Sequence, residues 1–302
     1  MKILNFGSLN IDHVYHVDEI VKPGETISSQ RLDMYCGGKG LNQSVAVRRA
    51  GSQLFHAGKI GEDGDMLIKL LKESGVNTDY ILQSCQATGH AIIQVNNEGQ
   101  NSIVLYSGAN YDIEQSFIDR VLMHFESGDL LLIQNEIGNI SVLMKKAYEI
   151  GMQIAFNPSP VNTQLLQYPL QYVHWFFLNE IEGYELTGKK EPSEIAMKLR
   201  NKYPQCTVVL TLGKEGVHYQ DSKCIVKHGI YRVNKVDTTA AGDTFTGYFL
   251  AGIEQKLDIH EILRRASIAA SIAVSRVGAA PSIPLLEEVL QANLEPENAV
   301  CI

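Results

Sequence analysis

The feature that most limits the fold is a rhythm of short, unbroken apolar runs separated by amphipathic segments. DLLLIQ (129–134) precedes a helical pattern over 140–150. QIAFN (153–157) follows, then WFFLN (175–179) with another helical pattern behind it, then TVVLTL (207–212). A strand with no polar alternate face is covered on both sides. The helix between two such strands supplies the cover and carries the chain back to a parallel start. The N-terminal part shows the same pattern. ILNFG (3–7) reads as a buried strand, and a helix is expected from about Asn42 to Ala50, closed by Gly51. LFHAGKI (54–60) is a further strand and 63–74 a further helix, closed by Gly75. Beyond some shorter strands, Gly242 opens a helical stretch, and two further helical segments run to about residue 276. The expected class is α/β: a doubly wound, mostly parallel sheet with helices on both faces.

Two places break the rhythm. Residues 13–19 and 26–35 read as strands around the turn Lys22-Pro23-Gly24-Glu25, and 88–95 and 101–107 as strands around Asn96-Asn97-Glu98-Gly99. They form a small β insertion rather than part of the main sheet.

Charge narrows the partners. The 302 residues carry 26 basic and 34 acidic side chains, a formal net charge of −8. That balance argues against a nucleic-acid or membrane-surface protein but leaves room for an anionic small molecule in a locally positive site. The cysteines, at 36, 85, 206, 224 and 301, are odd in number and contain no Cys-x-x-Cys. They read as reduced thiols of a cytoplasmic protein. Neither a signal peptide nor a membrane-spanning run is expected.

The strongest chemical stretch is Asp237-Thr238-Thr239-Ala240-Ala241-Gly242-Asp243-Thr244-Phe245. The small residues 240–242 permit a tight turn into a helix whose first N–H groups are free, which suits a phosphate or a developing anion. Asp243 in the first turn could take a proton from a substrate hydroxyl as general base. An ordinary helix start, with Asp favouring the dipole, is the plainer explanation. The second stretch is Gly37-Gly38-Lys39-Gly40-Leu41-Asn42-Gln43-Ser44, where glycines admit a ligand and Lys39 and Asn42 could bind hydroxyls. Asn10 and Asp12 follow the first strand, Glu136 follows 129–134, Asn179-Glu180-Ile181-Glu182 follows WFFL, and Thr211-Leu212-Gly213-Lys214-Glu215-Gly216 follows TVVL. Each alone is ordinary turn chemistry. Together they mark the carboxyl edge of one sheet, where open α/β folds bind ligands.

Other matches fail. Gly183 to Lys190 nearly spells a P-loop, but Lys replaces the required Ser or Thr and a helix precedes it. His13 and His16 point to opposite faces of a strand and are poor joint metal ligands. No Gly-x-Gly-x-x-Gly follows the first strand, which weighs against a nicotinamide-dependent oxidoreductase.

With these motifs in this order, the sequence resembles the ribokinase-like (PfkB-type) carbohydrate kinases over essentially its whole length. The resemblance runs from Gly7-Ser8-Leu9-Asn10-Ile11-Asp12 through Pro23-Gly24-Glu25-Thr26, Gly37 to Gln43, Asn157-Pro158-Ser159-Pro160, Asn179 to Glu182 and Thr211 to Gly216. It continues into Asp237 to Phe245 and Gly278-Ala279-Ala280-Pro281-Ser282. It implies that Asp243 is the catalytic base and that Ala240, Ala241 and Gly242 form an anion hole. Asn10, Asp12, Gly38, Lys39, Asn42 and Glu136 correspond to sugar-binding positions. Asn179, Thr211 through Gly216, Gly242 and Ser267 correspond to nucleotide-binding positions. Glu182 is associated with magnesium, indirectly. Asp237, Thr239, Ala273, Arg276, Gly278 and Ser282 match loops that hold an activating potassium ion.

The resemblance further implies one kinase domain over 1–302, with lid strands inserted at about 13–35 and 88–107, and a homodimer made through the lid. The implied reaction is transfer from ATP to the primary hydroxyl of a pentose, D-ribose first. His90, where a small apolar residue is expected, keeps 2-deoxyribose, another sugar or a nucleoside as alternatives. Ser267 stands where Asn or His is common. A non-catalytic sugar- or nucleotide-binding regulator is the alternative of a different class.

Overall fold

The computed structural model describes residues 1–297, so the reading of Cys301 falls outside the described residues. Its strands are β1 (Ile3–Phe6), β2 (Asn10–His16), β3 (Arg31–Gly37), β4 (Leu54–Ile60), β5 (Asn77–Gln83), β6 (Gly89–Val95), β7 (Asn101–Tyr106), β8 (Leu130–Gln134), β9 (Gln153–Asn157), β10 (Val173–Asn179), β11 (Thr207–Thr211), β12 (Val217–Gln220), β13 (Ile225–His228), β14 (Ile230–Tyr231) and β15 (Pro296–Glu297). Nine form one sheet in the order β13-β12-β11-β10-β9-β8-β1-β4-β5. From β11 to β5 every neighbour is parallel, and β12 and β13 add an antiparallel edge.

The apolar runs explain the burial. β1 and β8 are buried along their whole length. Side chains alternate across a strand, so Leu4, Phe6, Leu131 and Ile133 enter one core, together with residues of helices Gln115–Leu122, Ile140–Ile150 and Pro192–Lys202. Ile3, Leu130 and Leu132 enter the other, under helices Lys39–Arg49, Asp65–Glu73, Ala241–Glu254 and Ile259–Val274. The chain winds from β1 outward to β4 and β5, then returns to the far side of β1 as β8. The β1–β8 boundary is therefore the switch point, where the loops leave in opposite directions and open a crevice.

β3, β2, β6 and β7 form the separate four-stranded sheet, parallel between β2 and β6 and antiparallel at both flanks. Its pairing reaches further inward than the sequence suggests. Asn10 registers with both Gly37 and Gly89 at the base, where a Cβ on Gly37 would strike the Asp12 carboxylate and one on Gly89 the side chains of Asn110 and Asn10. Thus β2 starts at Asn10 and β3 ends at Gly37, and of the strands expected over 13–19 and 26–35, residues 17–19 and 26–30 lie outside them. β5 was not anticipated, because NTDYILQ is a half-buried edge strand with polar residues interrupting the apolar run. Helices Gln115–Leu122, Pro192–Lys202 and Leu286–Gln291 were also not anticipated. One continuous helix, Ile259–Val274, stands where two segments were expected.

Phe6 is fully buried at the centre of the sheet, with its ring edge-on to Phe117 at 5.3 Å. Replacing Phe6 by Ala is expected to lower unfolding free energy by about 3–5 kcal/mol, the range for a buried aromatic deletion. Urea denaturation checks it.

Candidate active site

Helix Ala241–Glu254 starts from an unusual backbone. Ala240 lies in the left-handed region at φ 59°, a conformation that costs a residue with a Cβ roughly 1–2 kcal/mol. It turns the chain abruptly from the Thr238–Thr239 loop into the helix. The Ala241 N–H is occupied by the Thr238 carbonyl at 3.2 Å, whereas Gly242 and Asp243 N–H have no partner among the described residues. A Cβ on Gly242 would meet nothing within 4 Å, and Ala240, Gly242 and Asp243 line one cavity. A helix N-terminus with free N–H groups at a cavity is suited to an anion.

Asp243 is itself buried and held from the side by helix Lys39–Arg49. Its Oδ2 accepts from Asn42 Nδ2 at 3.1 Å and its Oδ1 from Gln43 Nε2 at 2.8 Å. The two helices come this close because Gly247 has no side chain. A Cβ there would stand 2.8 Å from the Val47 nitrogen. Asn42 Oδ1 is buried without a partner. A ligand hydroxyl donating there would satisfy it.

Asn10, Asp12, Gly38, Lys39 and Glu136 gather beside this point. Asn110 Nδ2 donates to Asn10 Oδ1 at 2.7 Å. Glu136, from the loop after β8, accepts from Ser8 Oγ, from the loop after β1, and from the Lys39 backbone N–H at 3.1 Å. That pairing spans the switch-point crevice. Burial pushes the Asp12 carboxyl up to about 6, and the nearby Glu136 charge adds to the rise. Burial likewise raises Glu136, against the attraction of Lys39. Burial of Lys39 favours the neutral amine, but Asp243, Glu136 and Glu182 outweigh it and raise the Lys39 ammonium above its usual range.

Of the nucleotide-side residues, Asn179, Thr211 and Gly242 line one cavity with Asp243, whereas Leu212 through Gly216 are not among its lining residues. It holds about 220 Å³ and is lined by, among others, Lys39, Asn157, Asn179, Glu182, Thr211 and Asp243. Asn179 caps helix Glu180–Thr187 in a reciprocal box. Its Oδ1 accepts from the Glu182 N–H at 2.8 Å, and its own N–H donates to Glu182 Oε2 at 2.9 Å. The Asn-x-x-Glu spacing therefore has a structural use, which also fixes Glu182 facing the cavity. After Thr211, Gly213–Glu215 form a single 3₁₀ turn, which includes Lys214. Leu212 N–H closes the loop onto the Gly216 carbonyl at 2.7 Å. Ser267 is buried in helix Ile259–Val274 and is not among the residues lining this cavity.

Of the third group, Asp237, Thr239 and Gly278 are bonded together, and the Asp237 N–H reaches the Val274 carbonyl at 3.1 Å. Asp237 Oδ1 accepts from Thr239 N–H at 2.9 Å, and its Oδ2 accepts from Gly278 N–H at 2.9 Å. Ala273 accepts from the Arg276 N–H, while the Arg276 guanidinium turns away to Glu288 at 2.5 Å. Ser282 Oγ donates to the Ala279 carbonyl at 2.7 Å.

His90 lies in β6, within the small sheet as expected, and its side chain is turned from Asn10 and Asp12. β6 registers with β2 so that Ala91 stands opposite Asp12 and His90 opposite Ile11. Side chains alternate, so His90 is on the face away from Asn10 and Asp12. Its ring packs on Tyr106 at 5.0 Å and His13 at 5.8 Å, and Nδ1 pairs with the Thr88 carbonyl at 3.1 Å. The small residue on the Asp12 face is Ala91. Site residues that escaped sequence reading are Gln43, Asn110, Ser8 and Gln134. Gln43 and Ser8 stand within the motifs that carry the resemblance, whereas Asn110 and Gln134 carry no local signal.

A family model described as pfkB family carbohydrate kinase matches residues 1–286. The chain belongs to the pfkB family of carbohydrate kinases. Among pfkB relatives, it is 34% identical to a ribokinase of Staphylococcus aureus strain COL, covering 96% of this chain and 99% of the relative. It is 30% identical to a deoxyribokinase of Salmonella typhimurium, covering 95% and 97%. The structure of Arabidopsis thaliana ribokinase complexed with ribose and ATP superposes with a TM-score of 0.85 at 28% identity, covering 96% of this chain and 97% of that one. Among the described residues, no helix is long and apolar enough to cross a membrane.

The raised Asp12 pKa has a measurable sign. The folded chain holds this proton more tightly than the unfolded chain, so the group's contribution to stability is complete below about pH 4 and is lost as pH rises through about 6. A carboxyl ¹³C titration of the ligand-free enzyme is expected to show Asp12 ionising near pH 6, and Asp12→Asn should flatten stability between pH 4 and 7. A midpoint near 4 would contradict the burial account.

Proposed function

We propose that this ATP-dependent carbohydrate kinase phosphorylates D-ribose at its primary hydroxyl, giving ribose 5-phosphate and ADP. The observation that carries the reading is Asp243, one carboxylate held between hydroxyl-binding groups on one side and free helix N–H groups on the other. The sugar lies against Asn10, Asp12, Gly38, Lys39, Asn42 and Glu136. Asp243 takes the hydroxyl proton, the oxygen attacks the γ-phosphorus, and the bond to the ADP oxygen breaks. The free N–H groups of Gly242 and Asp243 take up the charge on the phosphoryl oxygens, while that of Ala241 is held by the Thr238 carbonyl. The ribokinase relatives favour ribose. His90 was the motive for 2-deoxyribose, another sugar or a nucleoside alike and faces away from Asn10 and Asp12, so the 2-deoxyribose alternative rests on the deoxyribokinase relative.

Asp243, Glu136 and Glu182 surround one lysine, so the cavity is acid-rich and a polyphosphate needs accompanying cations. Glu182, Asn179 and the buried, unpartnered Asn157 Oδ1 offer hard oxygen donors that fit hydrated magnesium. When bound, magnesium neutralises charge on the phosphates. Thr211 through Gly216 hold the nucleotide, with Ser267 on the base side. The joined loops bearing Asp237, Thr239, Ala273, Arg276, Gly278 and Ser282 fit potassium through oxygen atoms of loop backbone and side chains. The four-stranded sheet acts as an inserted lid on one kinase domain. Ile103, Val104, Leu105 and Tyr106 on exposed β7 support a homodimer through it. Dependence on ATP fits a cytoplasmic setting.

A coupled assay over ribose, 2-deoxyribose, other sugars and nucleosides should give highest kcat/KM with ribose, and faster turnover of a nucleoside would refute the assignment. Asp243→Asn should lower kcat about 10²–10⁴-fold with sugar affinity retained. Isothermal titration with ribose checks the second half. Replacing potassium by tetramethylammonium should lower activity, whereas equal rates in both would remove the cation site.

A further inference from the structure

Five polar side chains, Asn5, Gln43, Ser44, His56 and Gln134, are 0% exposed beneath the site, on the face of the sheet that otherwise forms an apolar core. Burying such groups is costly unless they are bonded to one another, and a connected set is rigid. Here they form one chain. Gln134 Nε2 donates to Gln43 Oε1 at 2.6 Å and to Asn5 Oδ1 at 3.1 Å. Asn5 Nδ2 donates to the Gly40 carbonyl at 2.7 Å and to Ser44 Oγ at 2.8 Å. Ser44 Oγ pairs with His56 Nδ1 at 2.7 Å, and His56 Nε2 with the Gly7 carbonyl at 3.2 Å. The other end of the chain is Gln43 Nε2 on Asp243 Oδ1.

The direction of every bond follows from its ends. An ionised carboxylate only accepts, so Gln43 must turn its NH₂ to Asp243 and its carbonyl to Gln134. Both Gln134 amide hydrogens are then spent, as are both of Asn5. The Ser44 hydroxyl, already accepting from Asn5, gives its hydrogen to His56 Nδ1, and His56 Nε2–H reaches Gly7. His56 stays neutral in this role, because burial pushes its pKa down to about 4. Turning the Gln43 amide over would set its NH₂ against that of Gln134. The network thus offers Gln43 one orientation.

We infer that Gln43 is a positioning residue for the reaction, fixing the Asp243 carboxylate through an amide whose orientation is locked by Gln134 and the Asn5–Ser44–His56 chain behind it. The inference rests on the reading of Asp243 as base. Asn42 holds the second oxygen and faces the sugar side, whereas Gln43 serves the base from the core.

The test is steady-state kinetics with the best acceptor of the panel. Gln43→Leu is expected to lower kcat about ten- to a hundredfold, the scale for a misplaced catalytic group, with KM for acceptor and ATP within about twofold. Gln43→Asn, which keeps an amide in the core but is one methylene too short, should lose kcat in the same way and stands in if the leucine variant does not fold. Gln134→Leu touches neither substrate nor Asp243. It should lower kcat by less, and in the Gln43→Leu background it should add no further loss. Parent-like kcat in both Gln43 variants, a rise in KM alone, or independent multiplying losses in the double variant would overturn the inference. Asp243→Asn run alongside separates the two claims. If it is active, the base reading falls. If it is inactive while the Gln43 variants are normal, only the positioning role falls.

Discussion

The contact between helices Lys39–Arg49 and Ala241–Glu254 is the interaction on which the site depends. It joins two glycine-rich stretches, with Gln43 and Asp243 bonded across 200 residues of chain. Gly247 sets the distance, since any side chain there would push the helices apart and withdraw both amides from the carboxylate. Ala240 sets the direction by entering the helix from a left-handed conformation. Local strain at a helix start and close packing along its side thus aim one carboxylate and its neighbouring N–H groups at the same cavity.

The surrounding electrostatics follow from the topology. At the switch point between β1 and β8 the loops part, and Ser8 and Glu136 meet across the gap. Glu182 comes in from β10 through its capping box, and Lys39 lies among the carboxylates. Burial raises the pKa of Asp12, Glu136 and Glu182 together. Crowded acids in a half-dry crevice are unfavourable for the empty protein and become useful when a sugar donates hydroxyls and a nucleotide arrives with its cations.

Much of this was legible before the fold. The apolar runs at 129–134, 153–157 and 207–212 and the two glycine-rich stretches are local patterns, and local patterns survive in one dimension. The β5 strand did not show, because a half-buried edge strand needs no apolar run, and its partner β4 alone makes it a strand. Nor did the side on which His90 lies. Strand register decides it, and a shift of one residue exchanges the faces.

The α/β class, most of the buried strands and the tight turn at residues 240–242 were therefore legible in the chain's own periodicity and small residues, whereas the assignment of Asp243 as base came from the family resemblance. Which polar residues gather behind Asp243 was decided only by packing. Asn5, His56 and Gln134 sit on three different strands, β1, β4 and β8, with nothing in their local sequence to join them. They meet because β1 pairs with both neighbours in parallel register beneath helix Lys39–Arg49. Hydrogen bonds depend on distance and angle in space, and no spacing along the chain encodes them.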